Sequence, residues 1–168
     1  GTSMNVVPSV VEIATVGTEF DVSVVVSTDT PQGSRGFQHG VTFNKDVLQL
    51  VSVTKPAAGN NFYQDFADLY AGDGMELTYS SFPNAAKIAT ANSTGSLPFW
   101  GAALAGFPAS GTPAGPSGTG TVAIYRFRAI ANGNTDIALH TVKVMDKDAN
   151  FIAGVTSSPS NVQVGPVL

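Results

Sequence analysis

The chain has no cysteine. That absence removes disulfides, thiolate nucleophiles, zinc ribbons and iron–sulfur clusters together. Charge is scarce too: 12% of residues are Asp, Glu, Lys or Arg, against about 25% in an ordinary globular chain. Eight Lys and Arg face twelve Asp and Glu, for a net charge of −4. With no basic run anywhere, nucleic acid is not an expected partner. No apolar stretch approaches the roughly 18 residues of a membrane span, so membrane insertion is not expected either. Gly-x-Ser-x-Gly, His-Glu-x-x-His and phosphate-loop motifs are missing, and an enzyme built on those spacings is not expected.

What remains is enough for a core, since 43% of 168 residues are hydrophobic and that length buries most of its apolar surface unaided. A single domain is expected over residues 5–168, with Gly1-Thr2-Ser3-Met4 reading as a cloning scar. Abundant Ser, Thr, Gly, Asn and Ala give the look of a microbial surface protein, extracellular or at the cell surface. Eighteen Gly and ten Pro punctuate the chain and leave few windows with a helical repeat.

Period-two alternation is plain instead. Phe20, Val22, Val24 and Val26 alternate with Asp21, Ser23, Val25 and Ser27; Phe37, His39, Val41 and Phe43 alternate with Gln38, Gly40 and Thr42. Further strands are expected at Val10–Ile13, Val47–Val53, Glu76–Ser81, Phe99–Ala105, Thr121–Ile130, Ile137–Met145 and Asn161–Val164. Phe62, Phe66, Leu69 and Tyr70 have near-helical spacing, so one or two helical turns are expected over the core. The resulting expectation is an all-β fold, a nine-stranded two-sheet sandwich with jelly-roll topology and at most one short helix. From Ile88 to Tyr125 no side chain is charged, and Gly106–Gly120 around Phe107 is a neutral loop.

Candidate chemistry is thin. His39 falls on the apolar phase of its strand and reads as a hydrogen-bonded core residue, and no third ligand accompanies His39 and His140 for a shared metal. Asp146-x-Asp148-x-Asn150 opens like a calcium loop, yet Phe151 and Ser157 stand where an EF-hand needs Gly and Glu. A turn accounts for it, a weak calcium site at Asp146, Asp148 and Asn150 being the alternative; no cofactor is otherwise expected. Asp65, Asp68, Asp73 and Glu76 read as solvated loop carboxylates. Trp100, with Phe99, Tyr63 and Tyr79, supplies aromatic surface for core packing or, in the alternative, for stacking on a sugar ring. The Asn92-Ser93-Thr94 sequon is given no weight.

The order of pieces resembles the cohesin family of β-sandwich modules. The resemblance rests on Val16-Gly17-Thr18-Glu19-Phe20-Asp21-Val22, on Gly36-Phe37-Gln38 leading to Val41-Thr42-Phe43-Asn44-Lys45-Asp46-Val47-Leu48, and on Gly118–Phe127 with its leading glycines. Gly133–Leu139 and the late Asp146-Lys147-Asp148 complete it, with Asn44 standing where the family usually has Asp. It implies a non-catalytic module that grips a dockerin-type protein domain and so attaches polysaccharide-degrading enzymes to a scaffold or surface. It also implies a binding face on one sheet, mapped here to Gln38, Gly40, Thr42, Thr78 and Ser80. Arginine at Gly40 or Thr78 is then expected to block the partner without unfolding the domain. The alternative is a carbohydrate-binding or adhesin-type sandwich with polysaccharide as its partner.

Overall fold

Valine, threonine and aromatic residues in period-two alternation favour pleated strands, and the chain follows that preference almost throughout. The computed structural model describes residues 1–106 and 113–167. In chain order its elements are β1 (Ser3–Val7), β2 (Val10–Ile13), β3 (Glu19–Thr28), β4 (Gly36–Thr42), β5 (Leu48–Thr54), α1 (Phe62–Leu69) and β6 (Glu76–Ser80). There follow α2 (Ala85–Thr94), β7 (Ser96–Ala105), β8 (Gly118–Ala129), β9 (Gly133–Met145) and β10 (Ser160–Val164).

Two sheets face each other. One has the order β1-β3-β8-β5, the other β2-β10-β9-β4-β7-β6. β2 and β10 run parallel, whereas the remaining named pairs are antiparallel. Val22, Val24, Leu48, Leu50, Tyr125 and Phe127 project inward from the first sheet, and Phe37, Val41, Trp100, Ile137 and Val144 from the second; all are buried. The sandwich is thus the expected architecture, with ten strands rather than nine and two helices rather than at most one.

Both differences have local causes. Residues 1–4, set apart on sequence, belong to the fold: Met4 is fully buried, and the Thr2 hydroxyl meets that of Thr28 at 2.9 Å. Helix α2 has a weak amphipathic pattern but sound ends. The Asn84 side chain accepts from the Lys87 N–H, and Gly95 closes the helix in the left-handed region, the residue types that caps require. Asn92 of the sequon ties α2 to β5 by accepting from the Leu50 N–H at 2.7 Å and donating to the Leu50 carbonyl at 2.9 Å. Its amide caps the β5 edge as another strand would. Phe107 and part of the neutral loop lie outside the described residues.

Candidate functional site

Register on the six-stranded sheet brings four strands, β9, β4, β7 and β6, side by side, and opposite partners in antiparallel pairs share a face. Phe151 bridges Met145, which pairs with Gly36, then Ala103, then Thr78. A second row runs Lys143, Gln38, Gly101, Ser80. These rows form the outer face of the sheet, opposite the core. Its middle is a shallow groove of about 260 Å³ bordered by Gln38, Thr78, Ser80, Phe99, Ala103 and Met145. Gly101 makes the floor flat because its strand lies tight against β4: a Cβ there would stand 2.2 Å from the Phe37 carbonyl oxygen.

Bulges interrupt both neighbours of β4, on β7 and on β9, at one level. The β4–β7 register shifts between His39 and Val41, and the β4–β9 register between Gln38 and Gly40. Thr141 takes a positive φ of 53°, and the chain around Pro98 turns Phe99 outward, 52% exposed beside a buried Trp100. Two carbonyls left by the bulges find side-chain donors: Gln38 donates to the Thr141 carbonyl at 3.1 Å, and His140 Nε2 donates to the Leu97 carbonyl at 2.9 Å. Bulges commonly re-aim side chains at functional surfaces. Here they present Phe99.

The expected site residues divide accordingly. Gln38, Thr78 and Ser80 line the groove. Thr42 is outward and exposed, but it pairs with Ala138 and Ser96 beyond the bulge. Gly40 is a correction: it is buried, and a Cβ would stand 2.2 Å from the His140 ring and 2.6 Å from the Leu97 carbonyl oxygen. Arginine at Gly40 would therefore damage the sheet rather than probe the surface. Sequence reasoning missed Ala103, Met145, Lys143, Phe99 as an outward residue, and Phe151. The inward phase of Trp100, Ala102 and Leu104 was signal enough for Gly101 and Ala103.

Beneath the groove a polar chain joins the sheets. The Trp100 indole N–H donates to the Tyr125 hydroxyl at 2.8 Å, and that hydroxyl lies 2.7 Å from His39 Nε2. Indole can only donate, so the arrangement that leaves no hydroxyl proton idle has Tyr125 donating to Nε2 and the imidazole proton on Nδ1. Nδ1 has no partner among the described residues. Burial, with a smaller contribution from His140, lowers the His39 pKa to about 3, and burial raises that of Tyr125. Both side chains are neutral at physiological pH.

Three alternatives are corrected or localised by position. Trp100 is 1% exposed and offers no sugar-stacking surface. His39 points into the core while His140 covers Gly40 on the outer face, so the two do not converge; among the described residues no group of three or more His, Cys, Asp or Glu is placed to hold a metal. Asp146 Oδ1 accepts from the Asp148 and Asn150 N–H groups at 2.9 and 3.0 Å, the geometry of an Asx turn. Asp65 likewise serves its own backbone, accepting from Gly59 and Asn61 at the start of α1.

The ten-stranded sandwich with two short helices has counterparts among solved cohesin structures. A type II cohesin domain from the cellulosome of Acetivibrio cellulolyticus matches at 20% identity and a TM-score of 0.67, over 96% of this chain and 94% of that one. The third cohesin of ScaC from the same organism, solved in complex with the ScaB dockerin, matches at 12% identity and 0.61, over 99% and 100%. A non-cellulosomal cohesin from the archaeon Archaeoglobus fulgidus matches at 14% identity and 0.58, over 98% and 91%. No protein-family model and no curated protein sequence matches the chain. The fold is cohesin-like.

Proposed function

We propose that the chain is a non-catalytic, extracellular binding module that receives a dockerin-type protein domain on the outer face of β9, β4, β7 and β6. Such a module serves the assembly or surface attachment of polysaccharide-degrading enzymes. The observation that carries this reading is the groove itself, where Gly101 and Ala103 let a partner backbone approach closely and Gln38, Thr78 and Ser80 stand ready to hydrogen-bond. Specific interfaces combine such a desolvated centre with a polar rim. Cohesin-like neighbours solved with dockerins lend support, as does the burial of Trp100, which takes its indole out of reach of a sugar ring.

The test is calorimetry of the pure domain against a panel of calcium-loaded dockerins, with insoluble polysaccharides in parallel. Saturable binding to a dockerin and none to polysaccharide is the expected result. Binding to a glycan with no dockerin bound would replace the reading with the carbohydrate-binding one.

A further inference from the structure

The chain has three methionines, Met4, Met75 and Met145, and no cysteine, so thioethers are its whole sulfur. Two of them are in the core: Met4 is fully buried and Met75 is 3% exposed. Met145 differs. It ends β9 on the outer face, is partly exposed and borders the groove. Its seat is made by a glycine, since a Cβ at Gly36 would stand 2.5 Å from the terminal methyl carbon of Met145. The side chain therefore lies across β4 as part of the groove's surface, with Phe151 on one side and Ala103 beyond Gly36 on the other.

A thioether needs no activating residue to react with a peroxide. The sulfur lone pair attacks one oxygen of hydrogen peroxide, and the S–O bond forms as the O–O bond breaks. The second oxygen takes up the proton of the first and leaves as water. Sulfur is oxidised by two electrons, and hydrogen peroxide, the oxidant, is reduced. The product replaces a flexible apolar side chain by a polar one, and methionine sulfoxide reductases reverse it with a thiol reductant. Oxidant and sulfur must meet, so burial protects Met4 and Met75 for as long as the fold stays closed.

From these features we infer that Met145 is the chain's site of selective, reversible oxidation, and that its sulfoxide weakens the groove for a protein partner. The second half rests on the dockerin reading; the first does not. Methionine suits binding surfaces because its soft, unbranched side chain fits irregular contacts. In the reduced groove it adds apolar surface between Gly36 and Phe151. A sulfoxide oxygen there is an acceptor that a bound partner cuts off from water, and desolvating an unpaired polar group is unfavourable. The core is untouched, because Met145 lies on the outer face.

The experiment exposes the intact domain to dilute hydrogen peroxide and follows each methionine by peptide mass spectrometry, with the urea-unfolded chain as reference. In the folded domain Met145 should gain one oxygen about tenfold or more faster than Met4 and Met75, and in urea the three rates should converge. Folded Met4 or Met75 reacting as fast as Met145 would overturn the site. Calorimetry with a calcium-loaded dockerin then compares the reduced, oxidised and reductase-treated domain with Met145→Leu, each checked by thermal melt. The oxidised domain should bind about tenfold more weakly with its melt unchanged, and the reductase should restore it. Met145→Leu, a volume-conserving change, should keep its affinity through peroxide treatment. Equal affinity before and after oxidation would overturn the effect on binding while the dockerin reading stands. A melt lowered in step with the affinity would trace the loss to the fold and overturn it too. If no dockerin binds the reduced domain, that reading fails and takes the effect on binding with it, and the oxidation rates still decide the site.

Discussion

The outer faces of the two sheets are built from the same alternation and end in opposite states. On the four-stranded sheet, Arg126 on β8 donates to Asp21 on β3 at 2.9 Å, and Arg128 donates to Glu19 at 3.1 Å and to Gln49 on β5 at 3.2 Å. Charges there are matched within the chain. On the six-stranded sheet, small residues replace the ladder, Phe99 and Phe151 are exposed, and Lys143 has no ion-pair partner among the described residues. A face whose groups already satisfy one another gains little from a partner, whereas flat ground with exposed rings gains apolar burial at about 25 cal/mol per Å². The difference between the faces, rather than their common fold, is what supports the proposed binding side.

The largest expected effect tests what braces the two sheets beneath the proposed face. Tyr125→Phe removes the oxygen shared by Trp100 and His39, leaving two buried polar groups unpaired. It should cost about 2–6 kcal/mol, since each such group costs about 1–3, in urea denaturation at pH 7. A loss under about 0.5 kcal/mol would show that the chain of hydrogen bonds does not brace the sheets.

The next effect is acid sensitivity. His39 has a folded pKa lowered from 6.5 to about 3, so the unfolded chain binds the extra proton first. Its contribution is therefore complete above about pH 6.5 and is lost progressively as the pH falls towards 3, at a slope approaching about 1.4 kcal/mol per pH unit. Urea midpoints at several pH values between 7 and 4.5 should show that slope relative to His39→Phe. Parallel curves for the two proteins would contradict it.

At the small end lies the matched face. Arg126 and Asp21 are both about half exposed, and exposed pairs contribute about 0–1 kcal/mol. Arg126→Ala should move the melt little and the affinity for a partner not at all. A clear fall in affinity would erase the contrast between the faces.

Much of this contrast was legible in the alternation of residues. Phe37, Val41 and Phe43 went to the core and Gln38, Thr78 and Ser80 to the outside because nothing disturbs the period there. The pattern failed where the pleat itself fails. At Gly40 the bulge brings His140 over the glycine, and no periodic reading reports a ring arriving from the next strand. Phe99 was grouped with Trp100 as neighbouring aromatics, yet adjacent residues of β7 face opposite sides of the sheet. Leu77 and Tyr79, on the inward phase of β6, are only half-buried because β6 is an edge strand. Phe151 was weighed only as a misplaced glycine of a calcium loop. Its position follows from the hairpin at Asp146–Asn150 returning the chain to Met145, a tertiary fact. β1 was hidden because a short strand at the end of the chain looks like a tail.

One paired measurement bears on the central claim most directly: the affinity of a calcium-loaded dockerin for Ala103→Arg, in the groove, and for Ser23→Arg, on the outer face of the four-stranded sheet. With both melts within about 0.5 kcal/mol of the parent, the account predicts that Ala103→Arg abolishes binding and Ser23→Arg leaves it intact. Binding lost in Ser23→Arg and kept in Ala103→Arg would contradict it.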